Sequence, residues 1–364
     1  MDNEESKNIK PERKQFLNRW GKLVPTFIKN YKKWVLGVFF LFLFLVSSLF
    51  LLAMNPVPDK IVYGMSFNTL YARELGLPWE KVYDAFLDEL KVRHLRLAAH
   101  WPMVEPRPGV YNFSELDYQL ERATQVGAKV ILGVGRRLPR WPECHVPNWA
   151  KDKGWESQKE SILRKMEVVM NRYKDQEAIV AWQVENEPYL EVFAKEHCGD
   201  FDEEFFLKQV DFAREIDPSR PILITDSGNL GLWSRPYKHS DMFGTSVYVY
   251  FWNPELGQFR TIIPAWFYRV KDNLVKLRHG RKETILIELS AEPWLLEPIS
   301  EVPIEIQFTR MNLKKFDDIL KYAERTRYGR QYLWGGEWWY WLREKGHPEF
   351  WEKGKQLFSE KVSE

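Results

Sequence analysis

The chain has 364 residues, 45% of them hydrophobic and 15% aromatic, which is enough for one large barrel or two average domains. Its net charge of +2 is uneven: residues 1–33 hold nine Lys or Arg against four Asp or Glu, so the rest sums to −3, and no nucleic-acid partner is expected. Two Cys, and seven His without a His-x-x-x-His pair, match no zinc pattern, so no metal site is expected either.

In chain order, the basic segment 1–33 is followed by WVLGVFFLFLFLVSSLFLLAM, residues 34–54, which contains no charge and is long enough to cross a bilayer as a helix. It is longer than the apolar part of a cleaved signal, so an uncleaved anchor is expected, with a slowly cleaved signal as the alternative. The Lys and Arg excess predicts a cytoplasmic tail at 1–33 and residues 57–364 as a domain outside the cytoplasm.

From residue 61 onward, eight apolar runs read as strands: KIVYGMSF, VRHLRLA, AKVILGVG, AIVAWQVE, PILITD, MFGTSVYVY, ETILIEL and QYLWGGEW. Amphipathic helical patterns separate them, among them PWEKVYDAFLDELK, SELDYQLERATQVG, ESILRKMEVVMNRYK, EEFFLKQVDFAREI, PAWFYRVKDNLVKLRHG and FDDILKYAERTRYG, and EFWEKGKQLFSEK follows the last strand. Apolar strands alternating with helices predict a parallel sheet covered by helices, and eight units predict an α/β fold of the (β/α)8 TIM-barrel type behind one N-terminal transmembrane helix. A doubly wound sheet binding a nucleotide would need a glycine-rich turn after its first strand, and GMSFNTLYARELG has none.

In such a barrel the chemistry sits at the C-terminal ends of the strands. The fourth run, AIVAWQVENEP, closes in Glu185, Asn186, Glu187 and Pro188; the seventh, ETILIELSAEPW, runs into Glu288. A carboxylate at the end of a buried strand is costly unless paired or used. Two facing one mouth fit glycoside hydrolysis, in which one protonates the leaving oxygen and the other attacks the anomeric carbon. The 17 Trp suit stacking on sugar rings, although each could equally fill the core.

These strand ends resemble the clan A (4/7 superfamily) retaining glycoside hydrolases, nearest the family 5 cellulase-like and β-galactosidase-like members, over most of residues 61–355. The resemblance implies Glu187 as acid/base, with Asn186 beside it as a hydroxyl-binding residue, and Glu288 as nucleophile. It implies Arg96, in HLRLAAHW, as support for the nucleophile and Tyr248, in TSVYVYFW, as its hydrogen-bond donor, with Tyr250 in reserve on the same face. It also implies Trp334, in YLWGGEWWYW, as the floor under the sugar.

Glu292 in SAEPW competes with Glu288, and Glu185 is expected only to buttress the site. His100, Trp101, His145, Glu337 and Trp338 are either sugar contacts or packing. Cys144 and Cys198 follow neighbouring strands and could be a disulfide or two buried thiols. The expectation is a membrane-anchored retaining β-glycosidase acting on a β-linked oligo- or polysaccharide outside the cytoplasm, with the lipid bilayer as its other partner and no cofactor. A catalytically silent carbohydrate-binding tether, or a transglycosylase with the same residues, remains open.

Overall fold

The computed structural model describes residues 9–295 and 297–359. The first eight residues of the basic tail and the last five of the chain therefore lie outside the described residues. The chain divides into two compact units, Met1–Met54 and Asn55–Glu364. In the first unit a helix runs Ile9–Leu52, and its stretch Tyr31–Leu52, with mean hydropathy 2.8, is long and apolar enough to cross a membrane.

The second unit is a closed barrel of eight parallel strands: β1 (Val62–Ser66), β2 (His94–Ala98), β3 (Lys129–Gly133), β4 (Ile179–Gln183), β5 (Ile222–Asp226), β6 (Met242–Val247), β7 (Thr284–Ser290) and β8 (Arg330–Trp334). Each strand pairs with its neighbours in sequence, and β8 closes on β1 through Val62↔Arg330 to Met65↔Leu333. All eight predicted strands are found. The helices between them include Trp79–Asp88, Ser114–Gln125, Trp155–Tyr173, Glu203–Ile216, Trp266–His279 and Leu313–Thr326, each on a predicted pattern. The short helix Ser234–His239 between β5 and β6 was not anticipated.

Alternation along the strands divides the core in two. Val130 and Leu132 join the large cluster that also holds the helices' apolar faces, while Ile131 joins Ala181, Leu223, Met242, Ile285, Ile287 and Tyr332 in a separate small cluster. The same parity puts Arg96, Gln183, Thr225 and Ser246 on the inner face, where a polar layer caps the apolar one.

Three strand ends differ from expectation. β4 stops at Gln183, so Glu187 stands in the following loop rather than on the strand. β6 stops at Val247, and Tyr250–Asn253 instead pairs antiparallel with Gly257–Arg260 in a separate hairpin. β8 stops at Trp334, because Gly335 at φ +105° breaks the extended chain and Gly336–Glu344 becomes a helix; Glu337 and Trp338 are thus helical. A Cβ at Gly335 would also come within 2.7 Å of the Glu292 side chain.

Candidate active site

The site is organised around Arg96, which is 1% exposed on β2. Its guanidinium uses all three nitrogens: Nε donates to Gln183 Oε1 at 2.8 Å, Nη1 to Glu288 Oε1 at 2.6 Å and Nη2 to Asn186 Oδ1 at 2.6 Å. Arginine suits this position because its planar fork presents donors in fixed directions. It ties β2, the end of β4 and β7 together at one height in the barrel.

Glu288 is 8% exposed, paired on one oxygen with Arg96 and accepting from the Tyr248 hydroxyl on the other at 3.1 Å. Strict alternation after the inward Ile285 and Ile287 would turn it away from the axis. A register shift between Thr245↔Leu286 and Ser246↔Glu288, matched by another against β8, supplies a bulge that brings it to the mouth. Burial and the neighbouring Glu288 push the Tyr248 hydroxyl well above its ordinary value, so it stays a donor.

Glu187 sits differently. It is 5% exposed, its Oε1 accepts from Ser246 Oγ at 2.7 Å, and its backbone N–H donates to Thr225 Oγ1 at 2.8 Å. No cation pairs with it among the described residues. Burial, followed by the charges of Glu288 and Glu143, raises its carboxyl well above the usual range. Glu185 and Glu187 have φ of +58° and +43°, a left-handed region uncommon for glutamate. The turn is held by Asn186 N–H on the Arg137 carbonyl at 2.8 Å and by the Glu185 carboxylate, which accepts from the N–H groups of Arg136 at 2.9 Å and Arg137 at 2.5 Å. Gly135 permits that approach, since a Cβ there would lie 2.7 Å from Glu185 Oε1.

Around this centre, Trp334 ends β8 with its ring 6.3 Å from that of Tyr248, and Trp294 packs on Tyr248 at 5.5 Å. The rings of His100 and His145 meet edge to face at 4.9 Å, and burial lowers both imidazoles. Glu292 is ion-paired with Arg140 at 3.0 Å and Glu337 accepts from the Asn68 N–H at 2.6 Å. Burial raises both carboxyls, that of Glu337 to about 7.

Three candidates fall elsewhere. Trp101 is 1% exposed, donates to Glu105 and packs on Trp149; Trp338 is fully buried, donates to Gln307 and packs on Phe350. Tyr250 donates to Asp318 at 2.9 Å from the hairpin, because the turn after Val247 ends the shared face with Tyr248. Cys144 and Cys198 are joined in a disulfide.

Sequence reasoning missed Gln183, Thr225, Ser246 and Glu143. The first three follow from strand parity, counted from Ala181, Leu223 and Met242. Glu143 gave no periodic signal; it lies in the loop after β3, with Oε1 accepting from Asn186 Nδ2 at 3.0 Å and Oε2 paired with Arg137 at 2.6 Å. No cluster of three or more His, Cys, Asp or Glu suited to a metal ion occurs among the described residues.

The sequence model of the glycoside hydrolase family 42, described as beta-galactosidase, matches residues 78–282, more than half of the chain. The chain belongs to this family. It is therefore a clan A glycoside hydrolase in sequence as well as in strand-end pattern. Among solved structures, the AHE enzyme from Alicyclobacillus herbarius is similar over 77% of this chain and 89% of its own, at 15% identity and TM-score 0.51, which supports the shared barrel fold. Endo-glycoceramidase II from Rhodococcus sp. (14% identity, 77% and 73% coverage, TM-score 0.49) also aligns. So does xylanase 10B from Thermotoga maritima (16%, 76% and 83%, 0.49). Comparison with curated proteins finds no match.

Proposed function

We propose that this family member hydrolyses a β-linked glycan with retention of configuration, Glu288 acting as nucleophile and Glu187 as acid/base. The observation carrying the assignment is the contrast between the two carboxylates. Glu288 is ion-paired with Arg96 on one oxygen and takes the Tyr248 hydroxyl on the other, partners that hold an attacking carboxylate in place. Glu187 has no cation partner among the described residues and a raised carboxyl, the condition for holding a proton until the leaving oxygen needs it.

In the first step Glu288 displaces the aglycone from the anomeric carbon while Glu187 gives its proton to the departing oxygen. In the second, Glu187, now a carboxylate, takes a proton from water as that water releases the sugar from Glu288. Trp334 would offer its face to the ring and Asn186 a hydrogen bond to a ring hydroxyl.

The chain's location belongs to the same reading. The apolar stretch behind a basic segment would anchor the barrel in the bilayer, with the barrel outside the cytoplasm. A disulfide in the barrel favours a non-reducing compartment.

The test is release of chromophore from aryl β-glycosides, β-galactosides first because of the family's name, by the full chain and by Glu187→Gln and Glu288→Gln. Both variants should collapse, and the product anomer seen first by NMR should match the substrate's. An inverted product, or equal turnover by Glu288→Gln, would overturn the mechanism. Carbonate extraction of expressing membranes tests the anchor: a chain released to the soluble fraction is not anchored.

A further inference from the structure

The loop after β3 brings a third carboxylate to the catalytic pair. Glu143 is 19% exposed at its side chain, so it is not sealed in the core, and it touches Asn186 beside the catalytic pair. Its backbone has φ +62°, and the loop is fastened on both sides. Its carbonyl accepts from the Leu138 N–H at 3.0 Å, the next residue, Cys144, is bonded to Cys198, and the amides of Arg136 and Arg137 are held by Glu185. A non-glycine residue in this region persists only where its surroundings over-determine it, and such residues gather at functional sites.

The contacts running from Glu143 lead to the nucleophile. Its Oε1 takes one N–H of Asn186 at 3.0 Å; Asn186 Oδ1 takes Arg96 Nη2 at 2.6 Å; Arg96 Nη1 holds Glu288 at 2.6 Å. One guanidinium thus fixes both the attacking carboxylate and the amide beside it. With Glu288 acting at the anomeric carbon, the amide tied to the same guanidinium would be in reach of the adjacent ring position. A primary amide has two N–H donors, and Glu143 occupies one of them.

We propose that Glu143 is a positioning residue for glycoside cleavage: by accepting one N–H of Asn186 it aims the other at the sugar hydroxyl next to the anomeric carbon. The proposal rests on the hydrolase reading above. A bond to that hydroxyl strengthens in the transition state, so the effect belongs in kcat more than in KM. Burial raises the Glu143 carboxyl, against the pull of Arg137 and with a further push from Glu288; in its charged form it helps Glu187 keep its proton.

The experiment compares the full chain in detergent with Glu143→Ala, Glu143→Gln, Asn186→Ala and the Glu143→Ala/Asn186→Ala double variant. Each is assayed on an aryl β-glycoside that the unaltered chain cleaves and on its 2-deoxy counterpart. Glu143→Ala should lose roughly tenfold to a hundredfold in kcat on the parent sugar, the scale of a misplaced contact. It should lose little on the 2-deoxy sugar, and the double variant should be no worse than Asn186→Ala alone. Glutamine can still accept the amide, so Glu143→Gln should keep more of the rate while the alkaline limb of its pH profile moves to lower pH. Equal losses on both sugars or additive losses in the double variant would each overturn the proposal, and an unmoved limb in Glu143→Gln would overturn the charge effect on Glu187. Should Glu143→Ala not fold, Glu143→Asp, whose shorter side chain draws back from Asn186, replaces it in the comparison of parent and 2-deoxy sugars. An unaltered chain that cleaves no glycoside brings down the hydrolase reading and this one with it, whereas cleavage unaffected by Glu143→Ala brings down only the positioning role.

Discussion

Replacing Glu337 by glutamine should make the barrel progressively more stable than the unaltered protein as pH rises. Glu337 is 2% exposed and accepts the Asn68 N–H, and burial raises its carboxyl from 4.5 to about 7, with Arg140 pulling the other way. Between those pH values the folded chain holds a proton that the unfolded chain has released. The stability tied to this group is therefore fully present below about 4.5 and is lost as pH climbs through about 7. At about 1.4 kcal/mol per pH unit, the loss comes to about 3 kcal/mol. Glutamine keeps the acceptor and does not titrate, so the difference between variant and parent should widen by that amount. In a domain of this size that corresponds to about 6 °C in Tm. Thermal unfolding followed by tryptophan fluorescence, from about pH 4.5 to about pH 8, reads it directly. Glu187 and Asp226 are also raised by burial, but they are present in both proteins and cancel in the difference; Glu292 shares Arg140 with Glu337 and repels it, so losing the Glu337 charge eases Glu292 as well and widens the difference in the same direction. Parallel Tm curves would refute the reasoning.

Glu187→Gln should lower kcat roughly a hundredfold to ten-thousandfold on glycosides with poor leaving groups and far less on dinitrophenyl glycosides, which depart without a proton. In the parent, activity should fall as pH rises through the raised Glu187 value, giving an alkaline limb well above the ordinary carboxylate range; a limb near pH 4.5 would contradict the acid/base assignment. Arg96→Met should cost about 3–5 kcal/mol in denaturant unfolding, because it strands Glu288 without its cation at a site where Arg96 is 1% exposed. Reduction of Cys144–Cys198, separated by 54 residues, should cost about 4 kcal/mol by loop entropy, and a Tm unchanged by reductant would speak against a stabilising role.

Much of the fold was legible because each strand is a run of branched apolar residues bounded by turn chemistry, and that pattern needs no tertiary information. The ends were harder. Where β4, β6 and β8 stop depends on positive-φ positions such as Glu185 and Gly335 and on the hairpin at Tyr250, none of which periodicity encodes. Glu187, Asn186, Glu288 and Arg96 stood out as polar residues closing apolar runs. Trp101 and Trp338 looked the same as Trp334 in one dimension, and only burial separates them. Glu143 was invisible because its relevance comes from a loop folded back over Asn186.

The bulge at Glu288 shows why strand-end reasoning located the carboxylate while parity would have lost it. Counting inward residues from Ile285 gives Ile287 and then Leu289, yet Leu289 packs with the helices in the outer core and Glu288 turns to the mouth. A regular strand could aim only one of two adjacent residues inward. The extra residue lets the barrel keep Ile287 as the apolar floor and set a carboxylate directly above it. That arrangement gives Glu288 its two environments at once: a dry layer beneath, which strengthens its attraction to Arg96, and an open mouth above, where the anomeric carbon would arrive. Moving the bulge by one residue would exchange these neighbours, and Arg96 would face a leucine.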